Sequence, residues 1–318
     1  MIDVVIPVYK PDEKFNRLIV GLAKQSRKPD NLIIMMTISN SDGYEWEKLN
    51  RDIRGMLDSC GAPEIKVEVH PLNRNDFYHG RTRNRGVAYG RNPYVLLMTQ
   101  DAVPADDSLL EKLMEVLEMT PEVSQVFARQ ATDEDAPDYI KYTQDFNYPE
   151  ILQLKTKDSY KTLGIKSIFC SNVCCMYRRD IFDYLGGFED KVIFNEDMIY
   201  ARKALDAGYT IVYEGRASVI HYHKYTCRQQ FKRNFDLAVS QKMNPEAFAG
   251  LSSTSEGKKM VKKILKMLWE KGKYGTAVYY FFLSAFKYLG YLFGKNYKHL
   301  PFGLKKKFSS NPSFWREC

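Results

Sequence analysis

Two runs of aliphatic residues, Ile2 to Ile6 and Leu32 to Met36, bracket a stretch of helical periodicity from Glu13 to Gln25, and this spacing restricts the fold more than any other feature. Short runs that are apolar at consecutive positions suit strands buried on both faces, and a helix between two of them makes a βαβ unit. Pro7 is expected to stop the first strand. Lys66 to Val69 reads as a further strand, followed by a polar loop from Asn73 to Gly80, a helix from Thr82 to Tyr89 and a strand from Tyr94 to Met98. The alternation predicts an α/β fold with a Rossmann-like, mostly parallel sheet flanked by helices.

After Val126-Phe127-Ala128 the pattern changes. Residues 129–165 are polar, aromatic and irregular; Ser167 to Tyr177 reads as extended, Asp180 to Leu185 as a short helix, and Ala201 to Ala207 as the body of another. Asn195 can cap that helix and Gly208 can close it. Tyr209 to Tyr213 and Ser218 to Tyr222 read as two short strands.

Charge divides the chain. From Leu251 onward 14 Lys and Arg stand against 3 acidic residues, a balance of +11, and the total of +8 leaves −3 for residues 1–250. A uniformly basic body would suit nucleic acid; a mildly acidic body, 1–250, with a basic, aromatic-rich helical tail, 251–318, argues against nucleic acid and for docking on an anionic surface. In the tail, Met260, Val261, Ile264, Leu265 and Leu268 recur at helical spacing opposite Lys259, Lys262, Lys263 and Lys266. Residues 277–293 form a mostly apolar run carrying Lys287, a charge that would cost about 2.5–3.5 kcal/mol at a bilayer centre. The tail is therefore expected to lie on the membrane without crossing it; the alternative is a helical hairpin packed on the body or forming a homodimer contact. The start of the chain has no basic n-region, so a cytoplasmic body peripheral to the inner face of the membrane is expected. The six cysteines lack paired spacing for structural zinc and are expected to be reduced, with Cys170, Cys174 and Cys175 in the core.

Four segments carry chemistry. Thr99-Gln100-Asp101 ends the apolar run Tyr94 to Met98, which puts a carboxylate where a buried strand opens into a loop; such a group suits a divalent cation, and reads equally as an ordinary loop acid. His79-Gly80-Arg81-Thr82-Arg83-Asn84 lies at an expected loop-to-helix junction able to receive an anion. Asn195-Glu196-Asp197 puts two carboxylates in the first turn of a helix, suited to capping or to taking a proton from a hydroxyl. His221-Tyr222-His223 follows an apolar run, and alternation turns both imidazoles to one face, where they can ligate a metal or contact phosphate.

In order and wording these segments resemble the family 2 glycosyltransferases of the GT-A fold, and among them the bacterial rhamnosyltransferases. The likeness runs from Val5-Ile6-Pro7-Val8-Tyr9 through Phe77 to Asn84, Thr99-Gln100-Asp101-Ala102, Arg129-Gln130, Phe146-Asn147-Tyr148-Pro149, Ser171-Asn172, Gly186-Gly187-Phe188 and Asn195 to Met198, to His221-Tyr222-His223. It implies inverting transfer from a nucleotide sugar, dTDP-L-rhamnose, to a glycan or lipid-linked glycan acceptor. Asp101, with His223 and secondarily His221, would hold Mg²⁺ or Mn²⁺; Asp197 would be the base with Glu196 in reserve. Pro7, Tyr9 and Thr37 would frame the nucleotide base, Gln100 would join the donor site, and Arg83 would touch diphosphate or sugar. One departure stands out: Thr37 occupies the place of an Asp that many members direct at the base, and Asp42 is left to shape the turn. Competing readings are a hexosyl or N-acetylhexosaminyl transferase using a UDP-sugar, and a non-catalytic nucleotide- or carbohydrate-binding module.

Overall fold

The aliphatic runs all enter one sheet. The computed structural model describes residues 1–38, 46–251 and 255–316, so Asp42 and Cys318 lie outside the described residues. The first half alternates strand and helix: β1 (Ile2–Val8), α1 (Glu13–Ala23), β2 (Asn31–Ile38), α2 (Trp46–Ser59), β3 (Lys66–Asn73), α3 (His79–Tyr89) and β4 (Tyr94–Met98). The four strands pair in parallel in the order β3-β2-β1-β4. Side chains divide between two cores as the pleat dictates: Val4 and Ile6 of β1 and Leu32 and Ile34 of β2 join the larger cluster with α1, whereas Val5, Ile33 and Met35 face the other side. Burial on both faces is why these strands read as unbroken apolar runs.

Pro7 does not end β1. Pairing with β4 stops at Val5, while pairing with β2 continues to Val8, so the proline sits where one ladder has already ended. The helix expected from Thr82 begins at His79. A Cβ on Gly80 would overlap the carbonyl oxygen of Glu189, so the glycine lets the start of α3 lie directly on the segment that leads into the acidic pair.

The second half comprises β5 (Val103–Pro104), α4 (Leu109–Met119), β6 (Val123–Ala131), α5 (Asp138–Asn147), β7 (Leu152–Lys155), α6 (Ser159–Leu163), β8 (Cys174–Arg178), α7 (Arg179–Tyr184), α8 (Glu196–Asp206) and β9 (Thr210–Ile220). Here the sheet is mixed. β8 inserts antiparallel between β4 and β6, β9 runs parallel to β6, and β5 and β7 both pair antiparallel to β9. The two short strands expected over 209–222 are one strand with a register break between Glu214 and Ser218, where Gly215 lies against the backbone of Ile151. Residues 129–165 hold two helices and a strand rather than irregular chain, because the apolar residues of α5, Tyr139 and Ile140, find their partners on the distant tail. Of the extended stretch expected over 167–177, only the end is strand.

The body ends in α9 (Cys227–Met243) and α10 (Pro245–Phe248), and the tail forms α11 (Ser255–Glu270), α12 (Tyr274–Lys295) and α13 (Phe302–Phe308). α12 lies along α9 at close range; a Cβ on Gly290 would overlap the Phe231 carbonyl. Met260, Ile264 and Leu268 of α11 pack on α5 and on Ala277, Tyr280 and Leu283 of α12, so the apolar stripe of α11 is turned inward. The face left open belongs to α12, where Tyr274, Val278, Phe281, Phe282, Tyr288 and Leu289 are exposed. No helix among the described residues is long and apolar enough to cross a membrane.

Candidate active site

Sheet register brings the first group together. Asp101 follows β4 and precedes β5, and β5 pairs antiparallel with β9 through Val103 opposite Ile220, which sets Asp101 beside the residues that leave β9. His221 Nε2 stands 3.5 Å from one carboxylate oxygen of Asp101 and His223 Nε2 stands 3.5 Å from the other. The three ligand atoms lie within 4.8 Å of one another, an arrangement that can hold a metal ion. Burial opposes ionisation of Asp101, yet its close contacts with His221 and then His223 hold its carboxyl well below the usual range. Burial, with the neighbouring His221, pushes His223 down to about 4, against the pull of Asp101, so its imidazole is neutral at physiological pH.

The imidazoles are held from behind. His221 Nδ1 lies 2.9 Å from Gln130 Oε1, and Gln130 Nε2 donates to the hydroxyls of Tyr148 at 2.6 Å and Ser171 at 2.9 Å. The Tyr225 ring lies 5.0 Å from that of His223.

A second group gathers at the start of α8. Asn195 precedes it with a left-handed backbone, φ 67°, and makes no side-chain capping bond; Asn is among the residues that tolerate this conformation. Asp197 accepts hydrogen bonds from the backbone N–H of Met198 at 2.8 Å and of Asn172 at 3.3 Å. Burial, then the adjoining Glu196 charge, pushes Asp197 up to about 7 despite those bonds. Glu196 is engaged differently. Its Oε1 receives Arg83 Nη1 at 2.8 Å and Asn172 Nδ2 at 3.2 Å, and although burial opposes it, Arg83 and His79 hold its carboxyl below the usual range. Tyr177 donates to Asn172 Oδ1 at 2.7 Å and fixes that amide.

The remaining expected residues divide. Arg83, foreseen on diphosphate or sugar, is buried and turned to Glu196, because α3 lies directly against the segment before α8. Gln100, foreseen as a donor-site contact, spends both ends of its amide on Tyr9, accepting from its N–H at 2.7 Å and donating to its carbonyl at 3.1 Å. That pair staples the ends of β1 and β4. Thr37, at the end of β2, is buried, and its hydroxyl finds no partner among the described residues. Pro7 and Tyr9 close the end of β1, with Arg74 over the Tyr9 ring. Gln130, Ser171 and Asn172 carry the connections; the sequence marks them only as parts of the segments of likeness, and the signal for their role is a polar side chain beside apolar residues, as in Phe127-Ala128-Arg129-Gln130 and Phe169-Cys170-Ser171-Asn172.

Known proteins resemble this chain in sequence and in fold. Along 98% of its length the chain is 32% identical to the O-antigen chain rhamnosyltransferase WbaN of Salmonella anatum, covering 94% of that protein, and 31% identical along 99% to RfbN of Salmonella typhimurium, covering 96%. Among solved structures, the mannosyltransferase PcManGT of Pyrobaculum calidifontis, in complex with GDP-Man and Mn²⁺, superposes with a TM-score of 0.61 at 12% identity over 94% of this chain and 88% of that one. Staphylococcus aureus TarS 1-349 with UDP follows at 0.51 and 13% identity, over 93% and 90%. The sequence profile described as glycosyl transferase family 2 matches residues 3–186. That match spans more than half of the chain, and with relatives aligned nearly end to end it settles the family: the chain is a glycosyltransferase and belongs to glycosyl transferase family 2.

Proposed function

We propose that the protein transfers L-rhamnose from dTDP-L-rhamnose, with inversion, to a hydroxyl of a growing lipid-linked cell-surface polysaccharide. The carrying observation is the pairing of a convergent Asp101, His221 and His223 cluster with a separate carboxylate, Asp197, whose proton affinity sits near neutrality. The sugar rests on the two curated relatives, both named as O-antigen chain rhamnosyltransferases.

One carboxylate and two imidazoles fit a divalent ion, and the two nitrogens favour Mn²⁺ over Mg²⁺, which prefers an all-oxygen shell. When bound, the metal would neutralise charge on the leaving diphosphate. The chain supplies the rest. Asp197 Oδ2 takes the proton of the attacking hydroxyl; a base near pH 7 is well matched to that work. Glu196, anchored by Arg83 and Asn172, is a positioning residue that keeps Asp197 from becoming too acidic. Thr37 offers its hydroxyl, without a partner among the described residues, to the nucleotide base, and Pro7 and Tyr9 frame it. Gln100 holds Tyr9 in place for that contact.

The tail, residues 251–318, docks the enzyme on an anionic membrane where such an acceptor resides. Supporting this are the exposed aromatic face of α12 and the lysines of α11 and α13 around it. A panel of dTDP- and UDP-sugars with Mn²⁺ or Mg²⁺ tests the donor; turnover of UDP-hexose in preference to dTDP-rhamnose overturns the sugar assignment. Salt-sensitive pelleting with liposomes containing anionic lipid tests the tail. Absence of pelleting at low salt, with a dimer in solution, reassigns the aromatic face to a second copy of the chain.

A further inference from the structure

Gln130 bonds to His221, Tyr148 and Ser171 and to none of the three carboxylates of the site, yet it stands between the two halves. It lies near the end of β6, buried, opposite Val219 of β9, and this register aims its side chain at the histidine leaving β9. A neutral imidazole carries its proton on one nitrogen only, and a metal can bind only the other. With Oε1 at 2.9 Å, Gln130 accepts the Nδ1 proton of His221 and leaves Nε2 unprotonated on the Asp101 side, 3.5 Å from its carboxylate, where a cation between them would bind both. The two protons of its Nε2 go to the Tyr148 and Ser171 hydroxyls, so every polar atom of the amide is used. Ser171 precedes Asn172, whose backbone N–H holds Asp197 and whose side chain holds Glu196.

We infer that Gln130 is a positioning residue that selects the metal-ready tautomer of His221 and, through Ser171 and Asn172, ties the metal cluster to the base. The inference rests on the metal reading given above and adds to it the group that makes the histidine a ligand. A purely structural glutamine would serve as well with its amide pointing either way. The role argued here requires an acceptor atom on the His221 side and tolerates hydroxyl donors on the other, because Tyr148 and Ser171 can each donate as well as accept.

Three variants separate these roles: Gln130→Leu removes the acceptor, Gln130→Glu keeps it, and Ser171→Ala removes only the far partner. Mn²⁺ is titrated into each protein without nucleotide, and ¹⁵N shifts of the His221 ring are recorded without metal at a pH where the imidazole is neutral. Loss of the outer partner of a metal-binding histidine weakens affinity by about 10- to 100-fold, so Gln130→Leu is expected to fall in that range while Gln130→Glu and Ser171→Ala stay within about threefold of the parent protein. The parent's His221 should carry its proton on Nδ1, and Gln130→Leu should shift population towards Nε2–H. Equal Mn²⁺ affinity in Gln130→Leu, or an Nε2–H tautomer in the parent, overturns the inference. Failure of the parent protein to bind Mn²⁺ overturns the metal reading instead and leaves the tautomer measurement to decide the role of Gln130.

Discussion

Replacing Asp197 by Asn should cost the enzyme its activity and make the protein more stable, and the second effect depends on pH with a sign the site dictates. In the folded protein the carboxyl titrates at about 7 against an ordinary value of 3.8. Burial comes first among the causes and the Glu196 charge second; the Asn172 N–H, Arg83 and the Met198 N–H oppose them. A carboxyl whose folded value is raised binds its proton more tightly in the folded state. Its cost is therefore absent below about pH 4, grows between the two values, and is fully present above 7. Three pH units correspond to a ceiling of about 4 kcal/mol; partial solvent access reduces this to roughly 2 kcal/mol. The isosteric amide escapes that cost but can accept from only one of the two N–H groups, which sit on different carboxylate oxygens, and the lost bond offsets about 1 kcal/mol of the gain. At about 1.5 °C per kcal/mol for a chain of this length, the net gain of about 1 kcal/mol should make Asp197→Asn melt roughly 1.5 °C higher than the parent near pH 8, and no higher near pH 4. Sugar transfer should meanwhile fall by about 10²- to 10⁴-fold, the share of a general base. The assay pairs thermal melts across pH with kcat at saturating donor and metal. Near-parental kcat refutes the base assignment, and a melting difference that is the same at both pH values refutes the electrostatic account.

Glu196→Gln removes a negative neighbour and leaves the Arg83 charge uncompensated, and both changes favour ionised Asp197. The acid limb of kcat should move down by about one to two pH units, checked by a pH–rate profile, with a stability loss of about 3–5 kcal/mol from the broken buried pair seen by denaturant titration. Asp101→Ala leaves two imidazoles without a carboxylate and should abolish measurable Mn²⁺ binding by calorimetry, while far-UV circular dichroism stays unchanged. Gly80→Ala forces the start of α3 off the Glu189 carbonyl; a loss of about 1–3 kcal/mol in chemical denaturation is expected, together with lower kcat from a displaced Arg83–Glu196 pair.

Much of the candidate site is legible in the sequence because its residues stand at the ends of regular elements. Asp101 follows a strand and Asp197 starts a helix, and each announces itself by a change of pattern. What could not be read was which partner each would take. Arg83 and Gln100 both look free in the sequence, and both are consumed, one by Glu196 and the other by the Tyr9 backbone, because α3 and the end of β1 come within reach of them only in the folded chain. The tail shows the same limit. Its amphipathic pattern marks a helix with an apolar side, but α5 and α12 claim the apolar side of α11, and the exposed aromatic face belongs to the next helix.

The sequence by itself determined the strands buried on both faces, the order of the chemistry-bearing segments and the local sign of charge, since each depends on residues near one another in the chain. The tertiary structure alone decided the site. A two-residue strand, Val103–Pro104, too short to carry a periodic signal, pairs with the end of β9 and sets Asp101 against His221 and His223 across more than a hundred residues. The inserted antiparallel strand β8 is preceded by Ser171 and Asn172, which join Gln130 of β6 to the acids of α8. Such pairings are set by long-range packing and hydrogen-bond registry, which no local stretch of sequence encodes.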